Sequence, residues 1–401
     1  MKRKTLLIGL VSLLSLTGCV NIMNNNSTSS NGASNPSSTS TLLSSNSSSA
    51  NGTTSSSSSS SLEKYTITWK NYNGEVLEID DVFYGSFPEY NGERPTKEET
   101  ADTSFLFNGW TPSLDFVTTN ATYTAVFVEV NKDDIIPGVY PVISNDNKTI
   151  KYGFYPQTYI SDDSLIHTLE ELEPSSYNSW YLYNGSYYVK EKANIYNNEN
   201  YTFNNGTSIV NESIYWFRCD PIKWNILSSI GGTYVLLSSI LLDAHNYYNN
   251  YDSRVNDGEI IYANNYLESD IRKWLNNEFY QKAFSLNNLF IQNTNVDNSN
   301  NTLDKVYLPS YQDYLNDEYG FESNPNSGSN TRVCKTSEYA RIKGAWVNTT
   351  TSLKYNGSYW TRTPSSEYSY CAWNVNSTGY LSEYAVDGSS HSVRPSITIC
   401  L

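Results

Sequence analysis

Basic residues are scarce in this chain of 401 residues, which has 26 Lys and Arg against 41 Asp and Glu and a formal net charge of −15. Beyond the first four residues, Lys and Arg form no cluster along the sequence. Binding to nucleic acid needs clustered cations that neutralise phosphates, and attraction to anionic lipid needs a polybasic patch. The composition therefore excludes a nucleic-acid partner and gives no electrostatic attraction to a membrane surface.

The chain also lacks an apolar segment long enough to span a bilayer. The run from Leu6 to Leu16 is well below the roughly 20 residues required. Three cations at positions 2 to 4 precede this run and Leu16-Thr-Gly-Cys19 ends it, which is typical of a secretory signal peptide. The ending resembles the lipobox of bacterial lipoproteins. This resemblance implies that residues 1–18 are removed, that Cys19 is lipidated, and that the lipid holds the protein on the extracellular side of the cell membrane.

No charged residue occurs between Lys4 and Glu63, and residues 20–62 are almost entirely Ser, Asn, Thr and Gly. Such a composition cannot bury a core. Residues 19–62 are therefore predicted to form a lipidated cysteine and a disordered tether, with an average span on the order of 35 to 40 Å.

Common catalytic and cofactor motifs are absent. There is no HExxH, GxSxG, GxxxxGK[ST] or GxGxxG pattern, and His167, His245 and His391 are isolated in the sequence. The loop from Asp297 to Asp304 has oxygen ligands but lacks the Gly and Glu that a calcium-binding EF-hand loop needs. The sequence therefore predicts no catalytic residue, no metal site and no cofactor.

Several acidic side chains keep a carbohydrate-active enzyme open as an alternative. A glycosidase needs two carboxylates that meet in space, and their partners need not be close in sequence. The available carboxylates are Asp243, Asp270, Glu278, Glu367, Glu383 and Asp387.

Beyond Cys19 the chain has four cysteines, and none of them forms a CxxC pair. They are Cys219, Cys334, Cys371 and Cys400. Exported proteins can keep disulfides, and four cysteines allow three connectivities. Buried free thiols are the other interpretation, and both stay open.

Residues 63–130 alternate apolar and polar side chains between turn signals, a pattern that predicts a small β-rich domain. Trp69 and Trp110 are predicted to lie in its core. The segment resembles the Listeria-Bacteroides repeat, the B-repeat of internalin surface proteins, in Tyr65–Trp69, Tyr84–Gly85, Pro88, Pro95, Phe107–Trp110 and Ala121–Ala125. The resemblance implies a β-grasp-like spacer or adhesive module without catalytic residues.

A polar hinge at residues 131–147 leads to a larger domain at residues 148–401. Its clearest predicted helix is Ser269 to Phe284, with an N-terminal Ser cap and an apolar face. Strands are predicted at residues 222–227, 232–237, 305–308 and 392–399. The expected fold class is therefore α+β.

This larger domain resembles the uncharacterised DUF6273 family of exported bacterial proteins. The resemblance lies in the segments Gly153–Gln157, Ile222–Leu227, Ile271–Tyr280, Ala283–Ser285, Thr336–Ala340, Tyr359–Pro364 and Val393–Pro395. In layout it is also similar to the C-type-lectin-like superfamily, which includes formylglycine-generating enzymes. Sugar-binding lectins have a calcium-site Asp after Trp-Asn, but here Val375 follows Trp373-Asn374, which argues against calcium-dependent sugar binding. Formylglycine-generating enzymes need two nearby cysteines to hold copper, and Cys371 has no neighbouring cysteine.

Aromatic residues are dense near the C-terminus, between Gly, Ser and Asn. Rings of this kind stack on sugars or peptides. The predicted ligand-binding residues are Tyr359, Tyr368, Tyr370, Trp373, Tyr380 and Tyr384. The predicted framework residues are Trp274, Trp360, Arg362 and Arg394, the arginines pairing with carboxylates and carbonyls.

Together these features predict a lipid-anchored, non-catalytic surface protein that binds or adheres to a glycan or a surface-protein ligand. An extracellular carbohydrate-active enzyme and a purely structural spacer are the alternatives.

Overall fold

The computed structural model describes residues 63–175, 178–297 and 302–401. The predicted signal peptide, Cys19 and the tether lie outside the described residues. About 40% of the structure is strand and 12% is helix, in several separate sheets, so the expected α+β class is wrong and the chain is mostly β. One amphipathic helix is the clearest pattern in the sequence of the larger domain, whereas many short strands lie within stretches whose Gly, Pro and Asn suggest loops.

The strands, in chain order, are β1 (Lys64–Lys70), β2 (Val76–Phe83), β3 (Thr103–Thr111), β4 (Ala121–Asn131), β5 (Val142–Ile143), β6 (Thr149–Ile160), β7 (Tyr181–Tyr183), β8 (Ser186–Lys192), β9 (Ile214–Ile230), β10 (Thr233–Ser238), β11 (Asp243–Ala244), β12 (Arg254–Asn256), β13 (Glu259–Ile261), β14 (Thr294–Asp297), β15 (Thr302–Asp304), β16 (Val306–Tyr307), β17 (Tyr359–Pro364), β18 (Cys371–Val375), β19 (Leu381–Ala385), β20 (Ser392–Val393) and β21 (Ser396–Cys400). The helices are α1 (Asp163–Glu170), α2 (Asp270–Trp274), a π turn (Leu275–Phe279), α3 (Tyr280–Ala283) and α4 (Glu338–Ile342). Short 3-10 turns occupy Lys132–Asp134, Tyr196–Asn198, Asp313–Leu315 and Thr351–Leu353.

The first four strands form one sheet in the order β2-β1-β4-β3, with β1 and β4 parallel. Trp69 is fully buried and stacks on Tyr123, and its ring contacts Trp110 edge to face at a centroid distance of 4.8 Å. The predicted core positions of Trp69 and Trp110 are confirmed. The connection from β2 to β3 contains no helix in the part that the structure describes, which is all of residues 84–102.

The largest sheet has the order β16-β21-β10-β9-β6-β5, and the β7-β8 hairpin pairs with the same long strand β9. The first half of β9 pairs with β8 and its second half with β10, while β6 pairs along its other edge. A five-stranded sheet follows the order β11-β20-β17-β18-β19. Two small hairpins, β12-β13 and β14-β15, complete the described sheets.

The predicted helix from Ser269 to Phe284 is present. The Ser269 hydroxyl oxygen accepts the backbone N–H of Arg272, which caps the first turn. Its buried face is Ile271, Leu275, Phe279 and Ala283. The helix is interrupted by the π turn, which the sequence pattern does not predict.

The first sheet contacts the rest of the chain directly, and Lys64 to Leu401 form one compact unit. Cys400 on β21 belongs to the hydrophobic core around Trp69. Gly232, at the turn between β9 and β10, has a φ of +84°, and a Cβ there would lie 3.1 Å from Phe107 and 2.9 Å from Arg94. The close approach of the two parts explains the need for glycine at this turn.

Cys219, Cys334 and Cys400 are buried free thiols, which agrees with the second of the two interpretations for these three residues. Burial raises the pKa of each thiol. In the described ranges no helix is long and apolar enough to cross a membrane.

Candidate functional site

Two adjoining cavities, of about 350 and 280 Å³, lie beside the helix formed by α2, the π turn and α3. His245, Trp274 and Glu278 line both cavities, so we treat the pair as one cleft. The outer cavity is also lined by Asn246, Asn249, Asp270, Lys273 and Asn277. The inner cavity is also lined by Tyr155, Glu191, Asp243, Ala244, Phe279, Lys282, Tyr339 and Lys343.

One wall of the cleft comes from the helix. Asp270, Trp274, Glu278 and Lys282 recur every four residues, and residues spaced in this way lie on one side of a helix. The π turn occupies Leu275–Phe279 in the middle of this wall, and single π turns inside α-helices occur frequently at functional sites.

The other walls come from elements far apart in sequence. Tyr155 lies on β6, Glu191 on β8 and Asp243 on β11, while Tyr339 lies on α4 and Lys343 directly follows it. Strand β11 pairs with β20 through Asp243 and Val393. His245 directly follows β11 and lines both cavities.

Asp243 is the most enclosed acidic group of the cleft. The Tyr155 hydroxyl donates to its Oδ2 at 2.5 Å, and the Ala244 backbone N–H donates to its Oδ1 at 2.7 Å. Burial raises the pKa of Asp243, and the nearby Lys343 and Lys282 oppose that effect. Burial also holds the pKa of Tyr155 well above its usual value, so this phenol keeps its proton.

Glu191 is the second acidic group with fixed partners. The Tyr339 hydroxyl donates to Glu191 at 2.9 Å, and the Lys343 ammonium lies 3.6 Å from the other carboxylate oxygen. Both charged side chains are partly exposed, so solvent weakens this ion pair. Burial raises the pKa of Tyr339, which remains a hydrogen-bond donor.

Aromatic rings form the surface between the cavities. The half-buried Trp274 ring lies 5.1 Å from the His245 ring, at an interplanar angle of 33°. His245 Nδ1 is 2.7 Å from the Asn246 carbonyl oxygen. The cleft therefore combines an aromatic surface with carboxylates, phenols and ammonium groups, which is suited to binding a polar ring compound.

The predicted ligand-binding residues do not line this cleft, and Tyr359 needs correction. Tyr359 is fully buried, its hydroxyl donates to the Arg332 carbonyl at 2.5 Å, and Arg394 Nη1 donates to that hydroxyl at 3.0 Å. It cannot contact a ligand because it is enclosed in the core around Tyr314 and Phe321.

The other five aromatic residues have different surroundings. Tyr370 and Tyr380 are 41% and 38% exposed, and the Tyr368 ring lies 5.9 Å from the Tyr370 ring. Trp373 is half-buried against Tyr311, with ring centroids 4.5 Å apart.

Tyr384 is likewise half-buried, and its ring lies 4.4 Å from that of His391. No cavity that we describe brings these five residues together.

Three of the four predicted framework residues have partners within the protein. Trp360 is fully buried against His391, and the Arg394 Nε donates to the Ser238 carbonyl within the core. Arg362 donates to Asp313 at 2.8 Å and to the Leu308 carbonyl at 3.0 Å.

Trp274 differs from the other framework residues because it lines the cleft. Of the six carboxylates considered for a glycosidase, Asp243, Asp270 and Glu278 line the cleft, whereas Glu367, Glu383 and Asp387 do not.

Sequence reasoning missed most of this cleft. The missed residues are Tyr155, Glu191, His245, Lys282, Tyr339 and Lys343. The available signal was the four-residue spacing from Asp270 to Lys282, which places an aromatic ring and charges of both signs beside the apolar face of one helix.

The part of the chain that the structure describes contains no candidate metal centre. Within the described ranges, no group of three or more His, Cys, Asp or Glu side chains is placed to hold a metal ion. The acidic loop from Asp297 to Asp304 is only partly described, and residues 298–301 lie outside the described residues.

Searches among curated proteins and among solved structures give no match to the chain. The family model described as "Domain of unknown function (DUF6273)" matches residues 231–401. This segment begins at the turn before β10 and includes the helix, α4 and the five-stranded sheet. The part of the chain that supplies His245, Trp274, Lys282 and Tyr339 to the cleft is therefore a DUF6273 domain.

Proposed function

We propose that this protein is a lipid-anchored cell-surface protein whose cleft binds a glycan outside the cell. The observation that carries the proposal is the aromatic and charged lining of the cleft, centred on Trp274. Sugar rings have apolar faces that stack on indole rings, and hydroxyl groups that pair with carboxylates, amides and ammonium groups. The cleft presents both kinds of surface next to each other.

The rest of the chain fits a display role. Residues 64–131 form a separate sheet that contributes no residue to the cleft, as expected of a spacer. We propose that this sheet is a repeat of the Listeria-Bacteroides type and that residues 19–62 are a tether from a lipid on Cys19. The scarcity of cations supports a partner other than nucleic acid.

The glycan proposal is tested on a glycan array with the full-length chain and three variants. Trp274→Ala removes the ring from the cleft and is expected to abolish glycan binding. Trp274→Phe keeps a ring and is expected to retain part of the binding. Tyr262→Ala removes an exposed ring outside the cleft and serves as the control. Absence of any saturable glycan, or equal binding by Trp274→Ala and the unaltered protein, would contradict the proposal. Absence of binding would leave the spacer role.

The anchor is tested separately by growing an expressing bacterium with radiolabelled palmitate. Label in the unaltered protein and none in Cys19→Ala is the expected result. Release of the Cys19→Ala protein from the membrane fraction would accompany it. Equal labelling of both proteins would contradict lipidation at Cys19.

A carbohydrate-active enzyme is a second candidate, and one observation favours it. Burial favours the protonated form of Asp243, and Glu278 lines the same cavity from an exposed position. Two carboxyl groups that face one cavity, one of them with a raised pKa, are the arrangement that glycoside hydrolysis uses. The test measures the release of reducing sugar from a polysaccharide. Release by the unaltered protein and by Glu367→Gln, but not by Asp243→Asn or Glu278→Gln, would support this candidate. No turnover by the unaltered protein would exclude it for that polysaccharide.

A further inference from the structure

We infer that the glycan bound in the cleft carries a carboxylate, as a uronic-acid sugar does, and that the Lys282 ammonium binds this group. The inference rests on the proposed glycan-binding function and names the class of glycan.

Two of the three acidic groups of the inner cavity, Asp243 and Glu191, already have partners within the protein, and the third, Glu278, is exposed to solvent. Asp243 accepts hydrogen bonds from Tyr155 and from a backbone N–H, and Glu191 accepts one from Tyr339. The Lys343 ammonium is directed to Glu191. In the outer cavity, Asp270 accepts the Asn249 backbone N–H at 2.9 Å.

Lys282 differs from these groups. Its side chain is half-buried, and among the described residues no carboxylate forms an ion pair with it. Its ammonium lies 5.8 Å from the Tyr155 ring centroid and 5.9 Å from that of Tyr339, which are long cation–π contacts. An ammonium has three donors, and those of Lys282 make no hydrogen bond within the described part of the chain.

The acidic neighbours of Lys282 do not prevent a ligand carboxylate from binding. The Glu191 charge is paired with Lys343, and the Asp243 carboxyl group is held by two hydrogen bonds. Glu278 is exposed, so solvent weakens its repulsion of a ligand carboxylate. A carboxylate placed in the inner cavity therefore meets the Lys282 ammonium, which forms no ion pair within the described residues, whereas the hydroxyls of Tyr155 and Tyr339 already donate to Asp243 and Glu191. Charge-assisted hydrogen bonds of this kind are stronger than neutral ones.

The distance along the helix sets the size of the ligand. Trp274 and Lys282 are eight residues apart, a rise of about 12 Å. A ligand that stacks on Trp274 and reaches Lys282 is longer than one sugar ring. The two joined cavities suit an oligosaccharide with its acidic ring in the inner cavity.

The test compares two probes by isothermal titration calorimetry with the full-length chain. One probe is a tetrasaccharide of alternating glucuronic acid and N-acetylglucosamine. The other is the same tetrasaccharide with its carboxylates chemically reduced to alcohols. The unaltered protein is expected to bind the acidic form about tenfold more tightly, which corresponds to one charge-assisted hydrogen bond.

The variants separate the role of Lys282 from a general effect of charge. Lys282→Gln is expected to bind both probes equally, and Lys282→Arg to keep part of the preference. Lys223→Gln makes the same change of charge at an exposed position on β9 and is expected to keep the whole preference.

Equal affinity of the unaltered protein for both probes would overturn the inference, and Trp274-dependent binding of neutral sugars would leave the proposed function standing. An acidic preference that persists in Lys282→Gln would overturn the role of Lys282. If neither probe binds, the inference fails for this sugar class, and the glycan array decides the function independently.

Discussion

His391 is enclosed between two aromatic rings, at 4.2 Å from the Trp360 ring centroid and 4.4 Å from that of Tyr384. Its Nδ1 has no hydrogen-bond partner in the part of the chain that the structure describes. Burial lowers the pKa of His391 to about 3, because no group compensates for the lost hydration of an imidazolium. The side chain is therefore neutral in the folded protein at all moderate pH values.

This burial predicts a loss of stability in mild acid. The pKa of an unfolded His is about 6.5, so between pH 6.5 and 3 the unfolded chain binds a proton that the folded chain does not. The free energy of unfolding should fall as the pH is lowered through this range, by about 2 kcal/mol between pH 7 and pH 5. Urea denaturation of the unaltered protein and of His391→Gln at both pH values measures how much of the loss of stability is due to His391. The same pH dependence in both proteins would contradict it.

Tyr359 gives a second prediction at this scale. Tyr359→Phe removes a buried hydroxyl that donates to the Arg332 carbonyl and accepts from Arg394. The loss should lower the free energy of unfolding by about 1–3 kcal/mol, because both partners remain buried. Tyr370→Phe, at an exposed position, should change it little. Weaker ligand binding with unchanged stability in Tyr359→Phe would instead restore Tyr359 as a ligand contact.

The sequence could not separate these roles. Tyr359, Trp360 and Thr361 are buried one after another on β17, so no alternation distinguishes inward from outward side chains. Tyr370 and Tyr380 belong to the same aromatic-rich C-terminal segment but are exposed. Aromatic density alone predicts neither burial nor binding.

At the scale of elements, an ion pair ties the cleft helix to a hairpin. The Arg272 guanidinium binds both carboxylate oxygens of Asp304, at 2.7 to 3.0 Å, and Asp304 is buried on β15. Burial raises the pKa of Asp304, and Arg272 opposes that effect.

Removal of this pair should destabilise the protein and disturb the cleft. Arg272→Met leaves the Asp304 carboxylate buried without a partner and is expected to cost about 3–5 kcal/mol. Lys273→Gln, which affects only an exposed pair with Glu268 on the same helix, should cost less than about 1 kcal/mol. Urea denaturation compares the two. Similar stability of both variants would show that the ion pair is not important.

The sequence predicted the elements with strong periodicity and missed those with turn residues. The helix from Ser269 to Phe284 and its Ser cap are confirmed, and the predicted strand at 222–227 lies within β9. β6 was missed because it contains Gly153 and Pro156, which suggest a turn. Gly153 has a φ of +72° and packs against Phe284, a contact between distant segments.

At the scale of the whole molecule, the DUF6273 segment is not a separate structural unit. The family match begins at residue 231, yet β10 pairs with β9, which lies before that boundary. The inner cavity also takes Tyr155 and Glu191 from before residue 231. Residues of the cleft therefore come from both sides of the boundary.

The position of the cleft could not be read from the sequence for the same reason. Tyr155, Glu191, Asp243, Lys282 and Tyr339 are spread over more than half of the described chain, and only the sheet topology brings them together. The acidic composition does not indicate which carboxylates share a cavity.

The most direct test of the central claim is hydrogen–deuterium exchange of the full-length chain, measured by mass spectrometry with and without the acidic tetrasaccharide. The cleft account predicts slower exchange in peptides that cover residues 243–249 and 270–283. Slower exchange confined to residues 365–385, where the exposed tyrosines lie, with no change along the helix, would contradict it.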